Sequence, residues 1–73
     1  MQINRGIYRH YKGKLYQVLH VAKHSENREE HVVYQCLYDD YSIWIRPLAM
    51  FIENVQQEDG SQVPRFKLEQ DLT

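Results

Sequence analysis

The sequence predicts a small all-β domain interrupted by one short helical turn, and three observations predict it. From His31 to Pro47, HVVYQCLYDDYSIWIRP, apolar and polar side chains alternate with a period of two on either side of a polar turn. The remaining apolar runs are short, rich in β-branched and aromatic residues, and separated by turn signals at Lys12-Gly13 and Asp59-Gly60. The one stretch that reads as helix, Leu48 to Ile52, is a single turn led by a proline. Seventy-three residues make one domain, 1–73, with a core expected over about 6–68 and frayed ends. A chain of this size buries only about 60–65% of its unfolded surface. Six Tyr, two Phe and one Trp must therefore supply much of the core. A self-associating surface could supply more, which leaves a homo-oligomer open.

Met1 to Arg5 is expected to fray. Gly6 opens a strand, Ile7 to Tyr11, with Ile7, Arg9 and Tyr11 on one face and Tyr8 and His10 on the other. Gly13 supplies the positive φ that closes the turn after it. Leu15 to Lys23 is a long strand with Leu15, Leu19 and Val21 on one face and Tyr16, Val18 and Ala22 on the other. Both faces are mostly apolar, as for a central strand. SENREE, residues 25–30, is a solvated loop of ordinary length.

In the next strand Val32, Tyr34, Cys36 and Tyr38 face one way, and Val33, Gln35 and Leu37 the other. Asp39 to Ser42 forms the turn, Asp tolerating a left-handed backbone. Ile43 and Ile45 then point opposite to Trp44 and Arg46, and Pro47, lacking an N–H, ends the pairing. Leu48 to Ile52 fits one helical turn, with Leu48 and Phe51 on a common face and proline at its start. Glu53 to Gln57 reads as strand, Asp59-Gly60 as a turn, and Val63 to Leu68 as a closing strand before a loose polar tail. Short strands, tight turns and one helical turn before the last hairpin describe a small, bent antiparallel barrel of SH3-like type.

The motifs Gly6-Ile7-Tyr8-Arg9-His10-Tyr11-Lys12-Gly13, His24-Ser25-Glu26, Val33-Tyr34-Gln35, Leu37-Tyr38, Trp44-Ile45-Arg46-Pro47-Leu48, Met50-Phe51 and Val63-Pro64-Arg65-Phe66 follow in one order. On them the chain resembles DUF1653, a bacterial family of small stand-alone domains of unknown function. The resemblance runs from about Gly6 to Phe66. Asp39 stands where a glycine is common in that family, and His20 where a small residue is. The resemblance implies a fold; it implies no activity, cofactor or substrate.

Net charge is −1, but residues 1–24 carry five basic side chains and no acid, while residues 25–73 carry four basic and ten acidic ones. Whether this makes a basic patch depends on how the ends fold together. A single cysteine, Cys36, rules out an internal disulfide and fits a reducing cytoplasm. No apolar run reaches membrane-spanning length, and MQINRG lacks a signal-peptide core, so a soluble, cytoplasmic protein without a membrane partner is expected.

Candidate chemistry is sparse. His20 and His24 are four apart, which on a strand separates them by about 13 Å, too far to share a metal. His24 and His31 flank the SENREE loop without a thiolate to join them. No metal or other cofactor is expected. Cys36, mid-strand without a basic neighbour, reads as a small buried hydrophobe. Asp39 and Asp40 read as turn residues rather than an acid–base pair. There is no Ser-His-Asp arrangement, phosphate loop or HExxH, so an enzyme of unknown reaction stands third among the function readings.

The cluster that invites a function is Tyr8, Arg9, His10, Trp44, Arg46 and Arg65, because arginine beside aromatics can stack, bind an anion and anchor an interface. Two readings of Trp44 stand open. It is a core plug, or it is exposed while Ile43 and Ile45 fill the interior. Arg46 needs a partner, either a carboxylate (Asp40 and Glu53 are nearest in sequence) or a bound anion. The favoured function is a non-catalytic module that recognises a protein segment or an anionic small ligand. The alternative is nucleic-acid binding through Arg5, Arg9, Lys12 and Lys14 with stacking on Tyr8, Tyr11 and Trp44. An isoelectric point near 6.4 weighs against it.

Overall fold

The computed structural model of the chain describes residues 3–73; Met1 and Gln2, part of the start expected to fray, lie outside them. Strands β1 (Gly6–His10), β2 (Leu15–Lys23), β3 (Glu30–Cys36), β4 (Ile43–Pro47) and β7 (Phe66–Asp71) form one antiparallel sheet in the order β4-β3-β2-β1-β7. A second sheet is the hairpin of β5 (Asn54–Gln56) and β6 (Gln62–Pro64), and α1 (Leu48–Phe51) joins β4 to it. The protein is all-β with one helical turn, as the sequence predicts. The five-stranded sheet is not closed as a barrel, because its first and last strands do not pair. No helix among the described residues is long and apolar enough to cross a membrane.

One face of the sheet carries the core. Tyr8, Val18, Val32, Tyr34 and Cys36 are buried there, under Leu48 and Phe51 of α1 and Phe66 of β7. The alternation in β3 therefore reads true, with Val32 fully enclosed. Gly6, Val18, Tyr34 and Trp44 stand side by side across four strands. Phe51 stacks on Phe66 with ring centroids 4.0 Å apart, and Tyr8 meets Phe51 edge-on at 5.5 Å. A four-residue helix has little stability of its own; burial of Leu48 and Phe51 on one face holds it. Pro47 ends β4 and sits just before the helix rather than in its first position.

The turns follow their residue chemistry. Gly13 has φ of 105°, Asp39 of 58° and Tyr41 of 56°, all in the left-handed region. Asp40 accepts the Ser42 N–H at 3.1 Å and Asp59 the Ser61 N–H at 2.9 Å, the local side-chain bonds that favour Asp in turns.

Three expectations are corrected. The register between β2 and β3 shifts between Val18 and His20, so Leu19 is a bulge residue and Val21 pairs with Val32. Val21 thus lies on the core face and not with Leu15. The closing strand, expected as Val63 to Leu68, is two strands in two sheets: β6 pairs with β5, and β7 pairs with β1. Arg65 makes the junction, its N–H donating to Glu53 O at 3.1 Å while its carbonyl accepts the Tyr11 N–H at 3.0 Å. The tail is also not loose up to Asp71, since β1 holds it and Leu72 N–H donates to Arg5 O at 2.9 Å. Asn4 is held with it, donating to the Asp71 carboxylate at 2.8 Å and accepting the Tyr8 O–H at 2.7 Å.

Candidate functional site

Beside β4 the core face of the sheet is left partly uncovered, because α1 reaches only Leu48 and Phe51 inward. The uncovered part is an open cavity of about 350 Å³. Its floor is Tyr16, Tyr34 and Cys36, its rim is Tyr38, Asp39, Asp40 and Ser42 of the β3–β4 turn, and Trp44 and Arg46 form the side along β4. Pairing across strands builds the floor: Tyr16 stands opposite Cys36, and Tyr34 opposite Trp44. The three tyrosines interlock, Tyr16 lying edge-on to Tyr34 and to Tyr38 at 5.5 Å each, with the Tyr16 and Tyr38 hydroxyls 2.6 Å apart. That hydroxyl contact holds the Tyr38 phenol protonated, pushing its pKa above the ordinary value of 10.0.

Trp44 is 56% exposed. Neither sequence reading of it survives whole. It is on the core face, but at the sheet's edge, so nothing buries it; Ile43 and Ile45 fill no interior and are 58% and 62% exposed on the opposite face. Its indole N–H donates to Ser42 Oγ at 2.7 Å, which fixes the ring against the turn.

Arg46 is half-buried, with its guanidinium carbon 5.7 Å from the centre of the Phe66 ring and its Nε 3.5 Å from the Tyr34 hydroxyl. Neither carboxylate nearest in sequence reaches it. Glu53 accepts from Arg65 at 2.5 Å, and Asp40 is engaged by the Ser42 N–H. Among the described residues the ion pairs are Arg9–Glu69 and Arg65–Glu53, and Arg46 is in neither.

The six residues singled out in the sequence divide. Trp44 and Arg46 line the cavity. His10 lies next to it, edge-on to Phe66 at 4.9 Å and to Tyr16 at 6.1 Å. Burial pushes the His10 pKa below 6.5, and the charges of Arg46, Arg65 and Lys12 push the same way. The Lys12 N–H donates to its Nδ1 at 3.2 Å, a bond that only the neutral ring accepts. Arg65 is close enough to be felt at His10, but is held by Glu53. Tyr8 is a core residue, and Arg9 is on the other face, bonded to Glu69 and to Gly13 O. Sequence reasoning did not include Tyr16, Tyr34 and Tyr38. Their signal was present, since Tyr16 and Tyr34 lie on the inward faces of their strands and the alternation of Val32, Tyr34 and Cys36 runs on to Tyr38.

Elsewhere, His24 and His31 do face each other across the loop, with ring centroids 5.7 Å apart, and the Nδ1 of each ring is engaged with the loop backbone. A second hollow of about 420 Å³ runs between Arg9, Tyr11, Val63 and Pro64, and its arginine is already paired with Glu69.

Compared with known proteins, residues 6–68 match the family model described as a protein of unknown function, DUF1653. The chain belongs to the DUF1653 family. A crystal structure of a DUF1653 protein from Bordetella bronchiseptica is similar to it at 36% identity and a TM-score of 0.85, over 97% of this chain and 92% of that one. No curated protein matches. Membership in DUF1653 thus carries the resemblance seen in the motifs to nearly the whole chain, with Trp44-Ile45-Arg46-Pro47 of β4 inside the matched span.

Proposed function

We propose that this DUF1653 domain is a non-catalytic binding module that takes an anionic small ligand in the cavity beside β4. One observation carries the reading: Arg46 is a half-buried cation without a carboxylate partner, in a cavity walled by an exposed tryptophan and three tyrosines. A guanidinium offers a planar fork of donors suited to carboxylate or phosphate. The aromatic walls suit a flat or apolar body attached to that anion. A volume of about 350 Å³ falls at the small end of ligand sites, which run to about 1,000 Å³. Asp39 and Asp40 on the rim favour a ligand that also carries a hydrogen-bond donor.

Nucleic-acid binding is less well supported. Glu69 occupies Arg9, one of the four cations that reading relies on, and two aspartates share the cavity rim with Trp44, so acidic groups stand among the contacts a phosphate backbone would need. A cytoplasmic setting accords with the buried, unpaired Cys36.

Trp44 is the chain's single tryptophan, so intrinsic fluorescence reads the cavity directly. Benzoate, phenyl phosphate, acetate and inorganic phosphate should be titrated with uncharged benzamide as the control. The expected result is saturable change with the aromatic anions, weaker change with acetate and inorganic phosphate, none with benzamide, and loss of the response in Arg46→Gln. A response that persists in Arg46→Gln, or no response to any of the anions at millimolar levels, overturns the proposal.

A further inference from the structure

The two edges of the five-stranded sheet are protected differently. Strand β7 carries Lys67, Glu69 and Asp71 along an exposed edge, the charged lining that keeps an edge from pairing with another chain. Strand β4 presents Ile43, Trp44 and Ile45 in succession, all more than half exposed, and has no neighbour on its outer side. An exposed apolar edge strand is a template for a further strand.

The hydrogen-bond pattern says which groups that strand would meet. Cys36 N–H donates to Ser42 O at 3.0 Å, and Trp44 pairs with Tyr34 and Arg46 with Val32 in the same register. Antiparallel ladders alternate bonded and non-bonded pairs, so Ser42, Trp44 and Arg46 turn their backbone groups toward β3. Ile43 and Ile45 turn theirs outward. Pro47 has no N–H to offer, which limits the open ladder to those two residues.

A two-fold partner satisfies this edge completely in one register. With Trp44 on the axis, Ile43 faces Ile45 of the second copy and the reverse, so all four outward N–H and C=O groups of each copy find partners. Shifting so that Ile43 faces itself would place Ile45 against Tyr41, whose N–H is bonded to Tyr38 O and whose carbonyl accepts from Gln35. In the favoured register Trp44 meets Trp44 as a non-hydrogen-bonded pair, the arrangement in which side chains come closest. Arg46 falls opposite Ser42 of the second copy, with Asp40 at the next position on that face, so charges complement and none of like sign are opposed. We propose that this protein forms a symmetric dimer by antiparallel pairing of β4 with β4 of a second copy, which makes one continuous ten-stranded sheet. The ladder itself is made by Ile43 and Ile45, whose side chains lie on the face away from the cavity. Ile45→Pro therefore tests the dimer without changing a cavity residue, although Trp44, Arg46 and Ser42 of the cavity also stand along the seam.

The test is sedimentation velocity of the full chain from about 10 µM to about 1 mM, where a small interface is populated. The parent should pass from monomer to dimer. Ile45→Pro keeps an apolar side chain but removes an outward N–H, and edge strands accept proline there; its dimer fraction should fall at least tenfold. If Ile45→Pro does not fold, Trp44→Cys decides. Cα atoms of such a pair lie about 4.5 Å apart, within disulfide reach of about 4.4–6.8 Å. Trp44→Cys should cross-link between chains in oxidised glutathione, while Ile43→Cys and the parent with its buried Cys36 should not. A parent that stays monomeric to 1 mM, a folded Ile45→Pro that dimerises like the parent, or Ile43→Cys cross-linking as well as Trp44→Cys, overturns the proposal.

Discussion

Replacing Arg46 by alanine removes a half-buried cation, and the structure says how much stability should go with it. Removing one member of a buried ion pair costs about 3–5 kcal/mol, because the other charge is left stranded. Here no carboxylate is stranded, since Glu53 keeps Arg65 and Asp40 keeps the Ser42 N–H. What is lost is the contact with the Phe66 ring at 5.7 Å, worth about 0.5–1 kcal/mol at a site of this exposure. The Tyr34 hydroxyl at 3.5 Å from Nε is at the limit of hydrogen bonding and adds little. The arginine stem packs some apolar surface as well. The total is about 1–1.5 kcal/mol, and with about 4–8 °C per kcal/mol for a domain of this size the Tm should fall by about 5–10 °C. Thermal unfolding by circular dichroism measures it, with Phe66→Ala as the reference for true core loss at about 3–5 kcal/mol. An Arg46→Ala protein that unfolds as readily as Phe66→Ala would refute the reasoning and make Arg46 a structural residue.

Gly6 offers a sharper backbone test: a Cβ there would lie 2.3 Å from Gln70 O of β7, so Gly6→Ala should destabilise by about 2 kcal/mol or more and lower the urea midpoint. His10 titrates below its ordinary value in the folded protein, so the unfolded state binds its proton more readily. Its contribution is fully present above pH 6.5 and is lost as the pH falls through that value toward the lowered folded pKa. Urea midpoints at pH 7.5, 6 and 5 should therefore decline, and His10→Gln should flatten this limb. An anion bound beside Arg46 should raise the His10 pKa by cancelling one of the charges that lower it, which a ring-proton NMR titration with and without phenyl phosphate checks. Tyr16→Phe should bring the Tyr38 phenol back toward 10.0, read by ultraviolet titration, because the hydroxyl contact is the largest cause of its raised value.

Sequence alone determined whatever depends on neighbours along the chain. The period-two pattern put Val32, Tyr34 and Cys36 on one face. Leu48 and Phe51, three apart, marked the helical turn. Gly13 and Asp39 marked turns that need a left-handed backbone. The motif order was enough to suggest the family. Tertiary structure decided what depends on which strand lies beside which. A one-residue bulge at Leu19 moved Val21 to the core face, since any slip by one residue reverses a strand's sides. Alternation on β4 separated Trp44 from Ile43 and Ile45, but could not tell that β4 is an edge, where the inward face is left open. Pairing of β7 with β1, about sixty positions distant in the chain, gave Arg9 to Glu69. Pairing of Arg65 with Glu53 left Arg46 without a carboxylate, because ion pairs follow distance through space and not order along the chain.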